Sequence, residues 1–514
     1  MKQLFTDFSG GINVNSTKLN LGFETKKVYA QTATNVEIMS NYGIRRMQGN
    51  TLLFSLNTTN DDTSNYSINS LFSIDNYVLI STDDGKLYSY NFVNSSLNLL
   101  KDSLKTNNKC NFVKYLNGVF ITNGHDNPMY YKTSDNSIEV LELTGADNQN
   151  IIGESVASFR SRLFIAQGSK LYFSALGNYN DFSTANDAGY ISDFHVDSAK
   201  IVALKPYQEY LAIYKEDQTY LLSGTSPSDF SIMPFSDKGA CSSNATSTVN
   251  NKQYFFSNGL FALSQTGELN QIVMSSEISL NIKPLISEIN FNKKNSLILL
   301  PYEQKNQLWC FVPTQNNDYI NNVFIYDYTN NAWVKREIPQ NITSACNYNN
   351  QIITADSLGN VYLEDNGSTF NGEAINFLYQ TPFFALGTNS ERKTIEEFYL
   401  IMDEDVDNNF IFSVNKDYDD LFESDMEEVK ILSLFSLVWD DKNSHFAIEE
   451  NPPSFDYHDC WSKMFDPKYK LEISESVYSV QICIRGNNSM HDFALVGLDF
   501  KEILENTNWD QFQS

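Results

Sequence analysis

The segment YVLISTDDGKLYSY, Tyr77–Tyr90, has the pattern that decides the fold of this chain. A short apolar run is followed by a polar turn and then by a second run centred on an aromatic residue, Tyr88. Short apolar runs bounded by turn residues such as Asp-Gly are typical of two β-strands joined in a hairpin. The segment therefore predicts a β-hairpin.

The same pattern occurs seven times. The central aromatic residues of the seven copies are Tyr88, Tyr130, Tyr172, Tyr220, Phe261, Phe324 and Tyr362. Their spacings are 42, 42, 48, 41, 63 and 38 residues. About 45 residues is the length of one four-stranded propeller blade. The sequence predicts an all-β chain with a β-propeller of six to eight blades, each aromatic residue packing as a wedge between blades. Unrelated hairpins of a β-sandwich are the alternative, although they would not keep so regular a spacing.

Charge is distributed unevenly along the chain. Residues 1–50 carry a local charge of +3, whereas residues 385–514 carry ten basic and 28 acidic side chains in a chain of net charge -27. Apolar strand-like runs continue to the C-terminus. We expect an N-terminal arm (1–50), a propeller (51–384) and a separate acidic, sandwich-like β domain (385–514).

The composition argues against several classes of protein. A pI near 4.5 disfavours a broad nucleic-acid-binding surface. An apolar fraction of 41% is too high for intrinsic disorder. We expect no signal peptide and no membrane span, because no long uninterrupted apolar stretch is present. The cysteines are interpreted as free thiols: Cys110, Cys241, Cys310, Cys346, Cys460 and Cys483.

A search for chemistry nominates no catalytic residue, no metal site and no cofactor. The five histidines lack the spacing of zinc ligands; they are His125, His195, His445, His458 and His491. His458-Asp459-Cys460 resembles a Cys/His pair but is interpreted as a surface turn. Asp403, Asp405 and Asp407 imitate the start of a calcium loop, yet Val414 occupies the position that needs a bidentate carboxylate.

The N-terminal segment, FSGGINVNSTKLNLGFETKKVYAQTATNVEIMSNYGIRRMQGN, resembles the opening of tail-hub proteins of short-tailed phages, the nozzle or packaged-DNA-stabilisation proteins. The matching positions are Phe8, Gly10, Gly11, Ile12, Asn13, Ala33, Asn35, Val36, Gly43, Arg46 and Gly49. The segments from Ser158 to Phe182 and from Ser257 to Gly267 are similar to later parts of the same family. The insertion-rich sixth repeat (Asn316 to Asn322) and the acidic C-terminal domain depart from the family.

The resemblance implies a virion protein of the phage tail, made in the host cytoplasm. Such proteins form a homo-oligomeric ring, usually a hexamer, below the portal and adaptor proteins, with propellers outside and β platform domains around a DNA channel. Tail fibres or distal tail proteins would be further partners. Acidic charge suits a channel through which DNA slides without specific binding, and it equally suits a subunit that must stay soluble before assembly.

The basic residues of the arm are the candidate inter-subunit site. Lys26, Lys27, Arg45 and Arg46 cannot be buried unpaired, so we expect this segment to bridge chains. Two other functions remain open. One is a propeller that binds or hydrolyses host glycans, and the other is a generic propeller scaffold.

Overall fold

The structure is a computed structural model. It describes residues 2–17, 27–59, 66–192, 194, 198–266, 271–387, 391–403, 406–418, 427–431, 437–440, 445–448 and 468–505.

The chain divides into two compact units. The propeller unit contains Asn50–Phe324 and Ile338–Glu364, and the sandwich unit contains Met1–Gly49, Ile325–Glu337 and Asp365–Ser514. This division differs from the three consecutive segments expected from the sequence. The first residues of the chain pair with its last strands, so the expected arm and C-terminal domain belong to one unit.

Six short strands precede the propeller: β1 (Gln3–Phe5), β2 (Gly11–Ile12), β3 (Tyr29–Ala30), β4 (Thr32–Thr34), β5 (Val36–Ile38) and β6 (Ile44–Arg46). The strand that follows them is β7 (Asn50–Ser55), and a single helical turn, α1 (Leu56–Thr59), comes next.

The first three blades of the propeller are consecutive four-stranded antiparallel sheets. Blade 1 contains β8 (Ile68–Ile74), β9 (Tyr77–Thr82), β10 (Leu87–Asn91) and β11 (Ser96–Lys101). Blade 2 contains β12 (Asn111–Tyr115), β13 (Gly118–Thr122), β14 (Met129–Lys132) and β15 (Ser137–Val140). Blade 3 contains β16 (Ser155–Phe159), β17 (Arg162–Gln167), β18 (Lys170–Phe173) and β19 (Gly189–Ile191).

Blades 4 and 5 repeat this arrangement. Blade 4 contains β20 (Ala203–Tyr207), β21 (Tyr210–Tyr214), β22 (Thr219–Ser223) and β23 (Ser231–Ser236). Blade 5 contains β24 (Thr246–Val249), β25 (Lys252–Phe256), β26 (Leu260–Gln265) and β27 (Ile272–Met274). The long connection to blade 6 carries a 3₁₀ turn (Leu280–Ile282), α2 (Lys283–Ile286) and a second 3₁₀ turn (Phe291–Ser296).

Blades 6 and 7 share one long strand. Blade 6 contains β28 (Ile298–Tyr302), β29 (Gln307–Val312), β30 (Ile320–Asp327) and β31 (Ala332–Tyr348), with a 3₁₀ turn at Glu303–Lys305. The C-terminal half of β31 pairs with β32 (Gln351–Asp356), which pairs with β33 (Asn360–Glu364). The outer strand of blade 7 is β7, from the other end of the unit, which pairs with β33.

The described residues therefore form a propeller of seven blades, closed by a strand that comes from before blade 1. The inner strands of successive blades contact one another, and β32 contacts both β28 and β8. A buried cluster joins Ile353 and Val361 of blade 7 to Ile68 and Ile80 of blade 1. Closure leaves only the short outer strands as edges, which is the physical advantage of a propeller.

All seven repeating aromatic residues lie on the third strand of their blade, and all seven are buried. Tyr172 of blade 3 packs into the core that it shares with Tyr115 and Phe120 of blade 2. Tyr220 and Phe261 likewise face the preceding blade. The blades thus bury one another through these rings, because a single sheet has no other way to cover its faces.

Blade 2 departs from the expected alignment by one residue. Tyr131, and not Tyr130, faces the preceding blade, where it shares a core with Leu79. Tyr130 faces blade 3 and stacks on Tyr179 with ring centroids 4.0 Å apart. Neighbouring residues of a strand point to opposite faces, so an alignment error of one residue reverses the side on which a ring packs. The error arose because Tyr130 and Tyr131 are adjacent, and the sequence pattern fits either of them equally well.

The sandwich unit is completed by the strands after the propeller. They are β34 (Phe377–Gln380), β35 (Lys393–Met402), β36 (Asn408–Lys416), β37 (Glu427–Ile431), β38 (Leu437–Asp440), β39 (His445–Ile448), β40 (Lys468–Val477), β41 (Val480–Gly486) and β42 (Ala494–Glu505). One sheet has the order β40-β35-β42-β6-β5, with β1 also paired to β42. The second contains β4-β34-β41-β36-β37.

Aromatic side chains fill the space between these two sheets. Phe384, next to the second sheet, lies 5.9 Å from Phe500 of β42 between ring centroids, and Phe377 of β34 lies 4.9 Å from Phe493. Phe5 of β1 contacts both Phe384 and Phe500. The predicted sandwich-like C-terminal domain is confirmed, but its core requires the N-terminal strands.

Candidate functional site

The environment of the described cysteines disfavours thiol chemistry. Five are free and buried: Cys110, Cys241, Cys310, Cys346 and Cys483. Burial raises the pKa of Cys110 to about 11 and that of Cys346 to about 12. A thiol is nucleophilic only as its thiolate, so these side chains are unreactive near neutral pH. Cys460 and His458 lie outside the described residues.

Two of the described histidines, His125 and His491, lie in hydrogen-bonded segments of the chain. His491 is buried, and its Nδ1 accepts a hydrogen bond from the backbone N–H of Asn487 at 3.1 Å. His125 lies in a turn of blade 2, where the backbone N–H of His125 donates a hydrogen bond to Asn123 Oδ1 at 3.0 Å. His195 lies outside the described residues, and His445 is described only as part of β39.

The described residues of the acidic run after β35 include two whose backbone carbonyl groups contact Asn408. Asn408 Nδ2 donates to the carbonyl oxygens of Asp403 at 3.1 Å and Val406 at 2.8 Å. Asp405 lies outside the described residues. Among the described side chains, no group of three or more His, Cys, Asp or Glu is placed to hold a metal ion.

The predicted basic site is only partly brought together. Arg45 and Arg46 are neighbours on β6, whereas Lys27 lies before β3 and its Nζ is 3.4 Å from the carbonyl oxygen of Asn330. Lys26 lies outside the described residues. Arg45 and Arg46 do not require another subunit to balance their charges, because each pairs with a carboxylate of its own chain.

Backbone pairing explains why the two arginines lie where they do. Arg45 pairs across the β5–β6 hairpin with Glu37, and its Nε donates to Glu37 Oε1 at 2.7 Å. Arg46 Nη2 donates to Asp492 Oδ2 at 3.0 Å, and its Nη1 donates to the carbonyl oxygen of Ser368, also at 3.0 Å. The two guanidinium groups are therefore oriented by contacts with three separate parts of the chain.

These contacts surround a cavity of about 260 Å³ in the sandwich unit. Its lining residues are Arg45, Arg46, Met47, Gln48, Gly367, Ser368, Val406, Asp492 and Phe493. Next to the lining residues Gln48 and Ser368, the backbones of Gly49 and Thr369 approach closely, since a Cβ at Gly49 would lie 1.8 Å from the carbonyl oxygen of Thr369. We call this cavity the Arg45–Arg46 pocket.

The electrostatics of the pocket are those of partly buried ion pairs. Burial raises the pKa of Asp492 from its usual value, although the nearby charge of Arg46 opposes the change. The Arg46 side chain is only 8% exposed. Its Nε is buried and, among the described residues, has no hydrogen-bond partner. A buried donor without a partner is a cost that a ligand or a water can remove.

A second polar feature lies near the propeller centre. Lys109, just before the inner strand of blade 2, has its Nζ 3.5 Å from the carbonyl oxygen of Asn295, which precedes the inner strand of blade 6. Burial lowers the pKa of Lys109 to about 8. Lys205, on the inner strand of blade 4, also has its pKa lowered by burial.

Sequence reasoning identified Arg45 and Arg46 but missed their partners. Asp492 is far from Arg46 along the chain and Glu37 is on the opposite strand of a hairpin. Asn35 was noted only as a motif position, yet its Nδ2 donates to the carbonyl oxygen of Asn376 and its Oδ1 accepts from the N–H of Glu337. No local pattern in the sequence points to these long-range contacts.

The fold defines the class of protein as a β-propeller joined to a β-sandwich. No family model and no curated protein matches the sequence. Among the described residues, no helix is both long and apolar enough to cross a membrane.

Three solved structures give matches to this chain, each with a TM-score below 0.5. The computationally designed Ika8 protein has 8% identity and a TM-score of 0.38, over 62% of this chain and 99% of its own. The extracellular domain of the putative one-component system BT4673 from B. thetaiotaomicron has 9% identity and a TM-score of 0.46, over 79% of this chain and 59% of its own. The WD40 β-propeller domain of Doa1 has 10% identity and a TM-score of 0.39, over 62% of this chain and 96% of its own. Nothing about function transfers at such low identity.

Proposed function

We propose that this chain is a structural virion protein of a short-tailed phage, forming a homo-oligomeric hub or nozzle that retains packaged DNA and conducts it during ejection. The proposal is supported by the N-terminal resemblance and by a chain built of a propeller and a β-sandwich.

The observation that carries the proposal is the structural role of the glycines in the N-terminal motif. A Cβ at Gly10 would lie 2.5 Å from the carbonyl oxygen of Val28, and one at Gly49 would lie 1.8 Å from that of Thr369. Gly11 has a φ of +64° and would place a Cβ 2.6 Å from the carbonyl oxygen of Trp333. The resemblance therefore includes positions where only glycine fits, which are positions that a shared fold would retain.

The acidic C-terminal portion fits the DNA-conducting part of the proposal, and it fits a subunit that stays soluble before assembly equally well. Carboxylates that face a polyanion repel it and keep it mobile, whereas a basic lining would bind its phosphates. Reversal of several of these carboxylates to lysine is expected to slow DNA exit from assembled particles and to leave their assembly intact.

Oligomeric state tests the proposal directly. The purified chain is measured by mass photometry over a range of concentrations, alone and with the head–tail complex of the phage that encodes it, and is imaged by negative-stain electron microscopy. A ring of about 350 kDa, for six chains of 58.6 kDa, is expected. A monomer under all these conditions, with a melting temperature that rises with added host polysaccharide, would favour the glycan-binding alternative and overturn the hub.

A further inference from the structure

The Arg45–Arg46 pocket has more hydrogen-bond donors than its own residues use. Arg46 donates from Nη1 and Nη2, and its buried Nε has no partner among the described residues. Arg45 uses Nε for Glu37, and no bond from its two terminal nitrogens occurs within the described part of the chain. Each terminal nitrogen of an arginine carries two N–H groups, so several donors remain available.

We infer that this pocket binds a carboxylate group carried by a small organic acid or an acidic side chain. Guanidinium groups present their N–H groups in a planar fork that matches the two oxygens of a carboxylate. Arg46 is held by Ser368 and Asp492, so its fork is already oriented, and Arg45 is 45% exposed and accessible from outside. A preoriented fork loses little conformational entropy when it binds.

The net charge of the pocket neither repels an anion nor attracts anions in general. Arg45 and Arg46 are balanced by Glu37 and Asp492, so the site has no large positive field. Recognition must come from hydrogen-bond geometry, which favours a planar group with two acceptor oxygens over a chloride ion.

The size and the apolar part of the lining restrict the ligand further. A cavity of about 260 Å³ is smaller than the roughly 300–1,000 Å³ of sites for drug-sized ligands. Val406, which is half-buried, lines it beside the arginines and supplies apolar surface for a short methylene chain. The geometry suits an acid of about four or five carbons, or the end of one glutamate side chain. This inference does not depend on the virion proposal.

The test uses the full chain labelled with ¹⁵N-arginine, in which seven Nε–H signals are expected for the seven arginines. Glutarate, N-acetylglutamate amide, inorganic phosphate and chloride are titrated separately at pH 7. Both carboxylates are expected to shift the Arg45 and Arg46 signals with saturation. If glutarate binds and the amino-acid amide does not, the pocket takes a free acid; if both bind, it also accepts an acidic side chain.

Variants separate the pocket from nonspecific binding. Arg45→Gln is expected to raise the apparent Kd of glutarate about tenfold or more, because a charge-assisted pair is lost. Arg46→Lys keeps the charge but removes the fork and is expected to weaken glutarate similarly. Arg160→Gln, at a propeller arginine paired with Glu209, is the matched control and should leave the Kd unchanged.

Three results would overturn the inference. They are no saturable shift with either carboxylate, phosphate binding more tightly than glutarate, and equal weakening by Arg160→Gln. Arg45 is 45% exposed, so Arg45→Gln is expected to fold even if Arg46→Lys does not, and an unchanged glutarate Kd in Arg45→Gln would also overturn the inference.

Discussion

At the scale of single residues, the stability of the propeller depends on rings that two blades share. Tyr172 is 1% exposed and its hydroxyl donates to Asp147 Oδ2 at 3.0 Å. Its neighbour across the sheet, Tyr190, is 40% exposed on the outer strand of the same blade. The two tyrosines thus offer a buried and an exposed ring within one sheet.

We predict that Tyr172→Ala lowers the free energy of unfolding by about 3–5 kcal/mol, because it leaves a cavity and removes ring contacts. Tyr190→Ala is the matched control and should cost about 1 kcal/mol or less. Urea titration followed by tryptophan fluorescence measures both. Equal costs for the two variants would contradict the wedge role of the third-strand ring.

A second residue-scale prediction concerns pH. Burial lowers the pKa of Lys109 to about 8 from 10.5, so between these values the unfolded chain binds more protons than the folded one. The free energy of unfolding therefore rises with pH between about 8 and 10.5, as Lys109 loses its proton in the folded chain first. Below pH 8 Lys109 is charged in both states, and the full cost of burying that charge lowers the free energy of unfolding.

Lys109→Met is therefore expected to raise the melting temperature at pH 7 relative to the parent chain, with the gain shrinking towards pH 10.5. Buried tyrosines that ionise at high pH affect parent and variant alike, so only their difference is interpreted. Lys105→Met, at an exposed lysine of the same connection, is the control and should show no such pH-dependent gain. A gain that persists unchanged at pH 10.5 would exclude titration of Lys109 as its cause.

At the scale of elements, one strand closes the ring. β7 pairs with β33 through five residue pairs, from Asn50 opposite Glu364 to Ser55 opposite Asn360. Phe54 of this strand stacks on Tyr90 of blade 1, with ring centroids 3.7 Å apart. β7 thus links blade 7 to blade 1 both by backbone hydrogen bonds and by side-chain packing.

We predict that Phe54→Ala destabilises the propeller by about 2–3 kcal/mol and increases hydrogen exchange first in β33 and β10. Leu53 is adjacent on β7 and 37% exposed, so Leu53→Ala serves as the control and should leave exchange in both strands unchanged. Exchange in β33 and β10 that is the same in both variants would show that β7 does not hold the ring closed.

At the scale of the whole molecule, the N-terminal residues are a structural part of the sandwich unit. β1 pairs with β42 at three positions, and Phe5 contacts Phe384 at 4.5 Å between ring centroids. We expected the N-terminal segment to bridge chains; its described residues pair with strands of their own chain, and a contact with other subunits stays a prediction.

Deletion of residues 1–10 is therefore expected to destabilise the sandwich unit, seen as faster hydrogen exchange in β35 and β42, while β9 and β13 of the propeller keep their protection. Leu4→Ala, at a residue of β1 that is 59% exposed, is the control. Unchanged exchange in β42 after the deletion would mean that β1 is dispensable for the fold.

The sequence by itself determined the repeat, the all-β class and the approximate blade number. Local alternation and turn residues such as Asp83-Asp84-Gly85 encode a hairpin wherever they occur, and recurrence at about 45 residues indicates that the hairpins are equivalent. The burial of the seven aromatic positions follows from the same pattern, because an aromatic ring on a sheet face that stacks against another blade has nowhere else to pack.

Only the tertiary structure decided which ends of the chain meet and what the arginines contact. The pairing of β7 with β33, of β1 with β42, and of Arg46 with Asp492 joins residues hundreds of positions apart. Such contacts depend on the summed geometry of every intervening strand and turn. A one-residue ambiguity, as at Tyr130 and Tyr131, is settled only when two faces pack, because alternation along a strand fixes the relative sides of residues and packing chooses between them.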